Sequence, residues 1–228
     1  MKPCAYIAQS LVDHSLGSYN DVRHIISESY YKVVAKRLQK ATIRVNETEV
    51  REYIKDAVLL HDIGKAGEYY QIQFDDNCVA IKEDPSFIYH EIGSALFFYY
   101  DYDAKEEIRK LLSLTVLNHL NAIRGISDLE TIIPRNFELS MIKLQKYGKI
   151  LLESLNKNLS IRDYRFDDLY EMIESFTKSD LGYLKLYNLF LAPVIIGDSI
   201  NSKRIRQNSS RRMFVDILEG EINEGATL

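Results

Sequence analysis

A histidine and an aspartate stand side by side in the segment Leu60-His61-Asp62-Ile63-Gly64-Lys65. Imidazole nitrogens and carboxylate oxygens both bind divalent transition metals. Neighbouring residues of a helix point about 100° apart, so the two side chains can reach one ion only where the backbone leaves the helix. Gly64 is predicted to allow this departure. A histidine at a helix C-terminus also has a simpler explanation, because the helix dipole favours it there without any metal.

The other histidines strengthen the metal hypothesis through their surroundings. His14, His90 and His119 each lie at or near a predicted helix or helix end among apolar residues, and Asp198 directly follows an apolar run. A buried ring without a partner is costly, and for one such histidine a hydrogen bond within the core is the simpler explanation. For all of these residues together, one shared metal site inside a helical bundle is a simpler explanation than a separate hydrogen bond for each. His24 lies outside the apolar stripe of its helix and is expected at the surface.

The elements that must position these residues are predicted to be helices, because 228 residues with 10 Gly and 4 Pro hold too few turn residues for a β-sandwich. With 46% hydrophobic residues the chain can bury one sizeable core, so we expect a single domain over residues 1–228. A short β-hairpin is expected near residues 69–82. Asn46 and Glu49 have the spacing of a capping box. Apolar spacings of three and four predict helices at 20–40, 50–60, 86–100, 103–121, 137–156, 166–177, 181–200 and 209–223.

Cysteine usage and hydropathy limit the setting in which the protein works. Cys4 and Cys78 match neither a disulfide framework nor a C-x-x-C zinc site, so a reducing, cytoplasmic compartment is expected. The N-terminus lacks the pattern of a secretory signal. Polar and charged residues interrupt the apolar segment 181–200, so a soluble protein without membrane contact is expected.

The charge distribution leaves room for a local nucleic-acid contact. A net charge of −4 argues against a protein that coats nucleic acid non-specifically. Positive charge is nevertheless concentrated after Asp198, where such a stripe would suit a phosphodiester backbone. A solvated helix face accounts for it equally well. The residues of this basic cluster are Lys203, Arg204, Arg206, Arg211 and Arg212.

The ordered set His14, His61-Asp62, His90, His119 and Asp198 resembles the HD superfamily of metal-dependent phosphohydrolases. Further matches make the chain similar to the HD nuclease of type I CRISPR systems, in the stand-alone form without a fused helicase. The resemblance spans about residues 10–206 and implies an all-α HD-domain helical bundle. The matching segments are Asp13-His14-Ser15, His61-Asp62-Ile63-Gly64-Lys65, His90-Glu91-Ile92-Gly93-Ser94 and Asp198-Ser199.

This resemblance implies a centre of two divalent metal ions, with Mn, Ni, Co, Fe and Mg as the candidates. One ion would be held by His14, His61, Asp62 and Asp198, and the second by Asp62, His90 and His119. The family usually has a further histidine directly before the last of these, whereas this chain has Asn118. An amide oxygen is a weaker ligand than an imidazole. We therefore expect Asn118 to contribute its oxygen or a water-mediated contact, and the second ion to be the more labile one.

The resemblance also implies an activity and partners. Two metal ions can activate water and neutralise a phosphate, so no protein nucleophile is needed. Asp62 and Lys65 would be the catalytic residues, and Lys65, Lys203, Arg204 and Arg206 would contact nucleic acid; a solvated lysine in a loop is the other explanation for Lys65. The implied protein is an endo- or exonuclease of single-stranded DNA in CRISPR interference, an antiviral defence, working with a separate helicase subunit and an RNA-guided surveillance complex. The alternatives are a phosphohydrolase of nucleotides or cyclic nucleotides, and a degenerate HD module that serves in complex assembly.

Overall fold

The computed structural model describes residues 2–120 and 141–205, which form a mainly helical protein. Two short antiparallel pairs of strands accompany the helices: β1 (Cys4–Tyr6) with β2 (Gln9–Ser10), and β3 (Met141–Ile142) with β4 (Tyr164–Arg165). Short 3₁₀ turns occupy Ile63–Ala66 and Lys185–Tyr187. The helices are α1 (Leu11–Ile25), α2 (Glu28–Lys40), α3 (Glu47–Leu60), α4 (Glu68–Gln71), α5 (His90–Tyr100), α6 (Glu106–Asn118), α7 (Gln145–Ser154), α8 (Phe166–Thr177), α9 (Leu181–Leu184) and α10 (Asn188–Ile205).

Most predicted helices are present, but several begin later than predicted, and a strand occupies 141–142 within the predicted helix at 137–156. The predicted helix at 20–40 is wrong, because α1 already begins after Ser10, whose hydroxyl accepts from the backbone N–H of Asp13. The extended backbone at Ser27 then separates α1 from α2. The predicted segment 181–200 is likewise divided into α9, a 3₁₀ turn and α10. The predicted helix at 209–223 lies outside the described residues.

The capping box predicted before α3 is present. The Asn46 side chain accepts from the Glu49 backbone N–H at 2.9 Å, and the Glu49 carboxylate accepts from the Asn46 backbone N–H at 2.7 Å. These bonds satisfy two of the N–H groups that lack an intrahelical partner. The helix that begins there ends at Leu60, and His61 is the residue that follows it.

The β-hairpin expected near residues 69–82 is reduced to a single antiparallel bridge between Phe74 and Ala80. Its first residues belong to α4 instead. The expected turn does form, because the Asp75 carboxylate accepts from the backbone N–H groups of Asn77 and Val79. Exposed Val79 and Ile81 gain little from pairing, since neither side chain reaches the core.

Cys4 and Cys78 form a disulfide, which corrects the expectation drawn from their spacing. They are 74 residues apart in sequence, but their Cα atoms lie 5.5 Å apart. Backbone contacts bring them together: Cys4 donates to the Gln71 side chain, and Ala8 donates to the carbonyl of Cys78. Spacing rules cover local frameworks and do not cover a pair joined by tertiary structure. The expectation of a reducing compartment thereby loses the observation on which it depended.

The larger apolar core gathers side chains from β1 through α10, and α5 runs through it. The side chains of residues 90–98 are all buried, which is typical of a helix surrounded by other elements. α5 packs against α6 and the 3₁₀ turn Ile63–Ala66, while α1 packs against α10. Within residues 2–120 and 141–205, no helix is both long enough and apolar enough to cross a membrane.

Candidate metal centre

Five elements bring the predicted metal ligands together inside the bundle. His14 lies in the first turns of α1, His61 and Asp62 directly follow α3, and His90 is the first residue of α5. His119 follows the last residue of α6, and Asp198 lies on α10. All six residues are buried. Residues that are distant in sequence therefore share one site in the interior.

The first group of ligands surrounds one oxygen of Asp62. Nε2 of His14 lies 3.0 Å from Asp62 Oδ2 and 3.5 Å from Asp198 Oδ1. Nε2 of His61 lies 3.6 Å from Asp62 Oδ2 and 3.9 Å from Asp198 Oδ1. The candidate ligand atoms of these four residues all lie within 4.8 Å of one another.

The second group surrounds the other oxygen of Asp62. Nε2 of His90 lies 2.7 Å from Asp62 Oδ1, and Nε2 of His119 lies 3.4 Å from the same atom. The two histidine nitrogens are 3.3 Å apart. Asp62 thus turns one carboxylate oxygen toward each group.

The backbone leaves the helix at Asp62, where φ is −102° and ψ is 11°, and continues into the 3₁₀ turn. His61 still has helical angles. Gly64 does not have a positive φ, so this glycine does not act through a left-handed backbone. Its small size is what matters: the Gly64 backbone N–H donates to Ser94 Oγ at 2.9 Å, and the turn lies directly against the start of α5.

Hydrogen bonds determine which histidine nitrogens face the centre. Because a backbone carbonyl can only accept, each histidine bonded to one carries a hydrogen on Nδ1, and in the neutral ring its Nε2 presents a lone pair to the site. The three such bonds run from His61 to Val58 O at 2.8 Å, from His90 to Phe87 O at 2.6 Å, and from His119 to Val116 O at 2.5 Å.

The arrangement fits divalent metal ions. When the rings are neutral, the Nε2 lone pairs of His61 and His90 point at carboxylate oxygens of Asp198 and Asp62, so acceptors face acceptors. Such contacts are unfavourable unless a proton or another cation lies between them. Neutral imidazoles combined with carboxylates are a donor set that suits divalent transition metals, and outer hydrogen bonds of this kind orient metal-binding histidines.

Electrostatics keep both carboxylates of the centre ionised. Burial alone would raise the pKa of Asp62, but the charge of Lys65 and the neighbouring imidazoles hold this pKa well below its usual value. Burial likewise opposes ionisation of Asp198, yet the hydrogen bond and charge of His61 lower its pKa. The pKa of His61 is raised because Asp62 and Asp198 outweigh burial, whereas burial dominates at His90 and lowers its pKa.

Lys65 is buried and forms an ion pair with Asp62. Its Nζ also lies 5.4 Å from the ring centroid of Phe87. The alternative of a solvated lysine in a loop is therefore wrong. The ammonium group contacts a metal-ligand candidate directly, so Lys65 is able to hold the Asp62 carboxylate in place.

Asn118 is buried beside His119, and its Nδ2 donates to the carbonyl of Leu114 at 2.7 Å. The amide nitrogen is thus held by the residue's own helix. Its role as a ligand of the second ion stays a prediction.

The basic cluster is described only in part. Arg204 donates to the buried Asp21 carboxylate at 2.6 Å, although 61% of its side chain is exposed. Lys203 is half-buried. Arg206, Arg211 and Arg212 lie outside the described residues. His24 is exposed, as predicted.

Sequence reasoning missed the polar residues that support the ligands. Oδ1 of Asn201 lies 2.9 Å from Nδ1 of His14. Nε2 of Gln9 donates to the same oxygen at 2.9 Å. Ser202 donates to Asp198 Oδ1 at 3.0 Å. Asn201 and Ser202 follow Asp198 on α10 by about one helical turn. This spacing places them beside Asp198, and it is the signal in the sequence that could have identified them.

Comparison with known proteins identifies the family. No protein-family model matches the chain. The CRISPR-associated endonuclease Cas3-HD of Saccharolobus solfataricus is 55% identical over 238 residues, which cover 100% of both proteins. The protein of the same name from Methanocaldococcus jannaschii is 28% identical over 80% of this chain and 67% of its own length.

A solved structure agrees with the fold. The CRISPR-associated Cas3 HD domain protein of Methanocaldococcus jannaschii has a TM-score of 0.58 and 19% sequence identity, and the match covers 86% of this chain and 99% of that one. This likeness supports the helical HD fold, and the full-length identity to the Saccharolobus protein establishes the relationship. The chain therefore belongs to the Cas3-HD family of CRISPR-associated HD nucleases.

Proposed function

We propose that this chain, as a single domain over residues 1–228, hydrolyses phosphodiester bonds of single-stranded DNA with two divalent metal ions during CRISPR interference. The observation that carries the proposal is the position of Asp62 between two buried groups of ligands. Membership of an endonuclease family supports hydrolysis of nucleic-acid esters. The nucleotide and cyclic-nucleotide phosphohydrolase stays the alternative activity.

The proposed ligands divide into the two groups described above. His14, His61, Asp62 and Asp198 would hold one ion, and Asp62, His90 and His119 the other. Bound divalent ions supply an activated water and neutralise charge on the phosphate during an in-line displacement. The imidazole-rich donor set favours Mn, Fe, Co or Ni over Mg.

The chain's own residues prepare the centre for that reaction. Asp62 stays ionised in spite of its burial because Lys65 contacts its carboxylate in the interior. The Nδ1 hydrogen bonds hold the histidine rings so that their Nε2 atoms face inward. Burial excludes bulk water and strengthens each of these charge interactions.

Substrate and partners are part of the same proposal. Lys203, Arg204 and Arg206 would bind the DNA backbone beside Asp198, and Arg204 retains exposed area for this despite its bond to Asp21. The names of the relatives support a CRISPR context. In that context the partners would be a separate helicase subunit and an RNA-guided surveillance complex. The protein would act in the cytoplasm as part of an antiviral defence.

The test is cleavage of labelled single-stranded DNA by the metal-loaded protein, with Asp62→Ala and the exposed-site control His24→Ala. We expect cleavage with Mn, Ni or Co, its loss in Asp62→Ala, and unchanged activity in His24→Ala, with circular dichroism showing that both variants are folded. Duplex DNA, RNA, nucleoside triphosphates and cyclic nucleotides are assayed in parallel.

The outcomes separate the alternatives. If the protein hydrolyses only mononucleotides or cyclic nucleotides, the nuclease proposal is wrong and the phosphohydrolase alternative is supported. Equal cleavage by Asp62→Ala and the parent protein would contradict the proposed mechanism. A folded protein that binds metal but cleaves nothing would favour the degenerate HD module that serves in assembly.

A further inference from the structure

His14 differs from the other histidines of the centre in the partner of its Nδ1. His61 and His119 stand at helix C-termini, where the last carbonyls have no intrahelical donor and can accept from a ring. His90 begins α5 and uses the carbonyl of Phe87, just before the helix. His14 lies inside the first turns of α1, where each carbonyl accepts from the amide four residues later. Its ring therefore needs an acceptor from another element.

Asn201 of α10 is at hydrogen-bond distance from that ring. Its Oδ1 lies 2.9 Å from Nδ1 of His14, and the bond is buried. Gly17 makes room for it, since a Cβ at this position would lie 2.1 Å from Nδ2 of Asn201. The amide thus occupies a space that α1 leaves open one turn after His14.

Gln9 of β2 bonds to the same amide. Its Nε2 donates at 2.9 Å to the same Oδ1 that faces His14. The Asn201 oxygen then accepts from two donors, and the ring nitrogen it faces must carry the hydrogen. An amide turned round would present its N–H to His14, and the hydrogen of the ring would move to Nε2, the atom that faces Asp62.

We propose that Asn201 and Gln9 are positioning residues that hold His14 as the Nδ1–H tautomer, with its Nε2 lone pair directed at the first group of ligands. The part that concerns metal binding rests on the proposed function. The tautomer itself is a property of the metal-free protein. Side chains behind a metal-binding histidine typically change metal affinity about 10- to 100-fold when they are removed.

The test compares Asn201→Leu, which removes the acceptor, with Asn201→Asp, which keeps an oxygen in its place. Long-range ¹H–¹⁵N correlation spectra of the metal-free protein report the tautomer of each ring, and titration calorimetry with Mn²⁺ reports affinity. We expect Asn201→Leu to lose the Nδ1–H form of His14 and to bind the first ion about 10- to 100-fold more weakly. Asn201→Asp should keep both properties, and Gln9→Met should show a mixture of tautomers.

Tyr102→Phe is the matched control, because it removes a buried hydrogen bond, to Asp56, outside the centre. It should leave the tautomer and the affinity unchanged. The proposal is overturned if Asn201→Leu keeps the Nδ1–H form, or if Asn201→Asp loses it as Asn201→Leu does. If the parent protein binds no Mn²⁺, the proposed function fails, while the spectra of the metal-free protein still decide the tautomer.

Discussion

Gly64 and His90 are packed so closely that a Cβ added to Gly64 would lie 1.8 Å from the carbonyl oxygen of His90. Gly93, one turn along α5, continues the contact, since a Cβ there would lie 3.2 Å from Cα of Gly64. The turn that carries Asp62 is thereby joined to the helix that begins with His90. This close approach determines the distance between two proposed ligands, 2.7 Å from His90 Nε2 to Asp62 Oδ1.

Gly64→Ala is predicted to destabilise the protein and to weaken the second group of ligands. The added methyl group meets backbone, which cannot rotate away, so we expect a loss of about 1–3 kcal/mol in the free energy of unfolding. Chemical denaturation measures it. In Gly182→Ala the nearest atom is a side-chain oxygen of Asp180, 3.0 Å away, so this control should lose less. Equal stability of Gly64→Ala and the parent protein would contradict the packing argument.

Lys65→Met is predicted to destabilise the metal-free protein more than the metal-loaded one. Removing one partner of a buried ion pair costs about 3–5 kcal/mol, and the pKa of Asp62 should rise once the lysine charge is gone. Bound cations would balance part of the negative charge of Asp62. The loss of stability in Lys65→Met should therefore be smaller when metal is present. Thermal unfolding with and without saturating Mn²⁺ measures the difference.

The control for this prediction is Lys55→Met, which removes a partly exposed partner of Glu52. Such surface pairs contribute about 0–1 kcal/mol, so this variant should unfold like the parent protein in both conditions. A loss in Lys65→Met that is the same with and without metal would show that the lysine does not share the carboxylate's charge with the metal ions.

The histidines and aspartates of the centre could be predicted from sequence because burial of so many polar rings needs a common cause. His14, His61 and Asp198 come from three helices, and the family resemblance provided their grouping. Helices such as α8 were predicted in full, since their apolar stripe and their ends are both local features.

Other features depend on tertiary contacts and leave no local signal. A glycine is needed at position 64 because the backbone of His90, 26 residues later, lies against it. Its own φ angle does not require a glycine. Gln9 and Asn201 are 192 residues apart and meet because α1, which directly follows β2, packs against α10. The disulfide between Cys4 and Cys78 is of the same kind, since it is formed by the contact of β1 with a distant turn.

Loss of that disulfide is predicted to destabilise the protein substantially. In the chain-entropy model, a crosslink across a loop of this length stabilises by about 4 kcal/mol, mainly by restricting the unfolded chain. We expect Cys4→Ser with Cys78→Ser, or reduction of the parent protein, to lower the midpoint of denaturation. Reduction should not change the double variant further, and a parent protein insensitive to reductant would contradict the prediction.

The two groups of ligands are predicted to bind metal with different affinities. The first group offers four side chains and the second offers three, with Asn118 where a further histidine is usual in the family. Titration of the metal-free protein with Mn²⁺ should therefore show two steps, the weaker of which disappears in His119→Ala, while Asp198→Ala weakens the tighter one. His24→Ala should leave both steps intact, because this histidine is exposed and outside the centre. Two ions of equal affinity, or full occupancy of both sites without added metal, would contradict the difference between the groups.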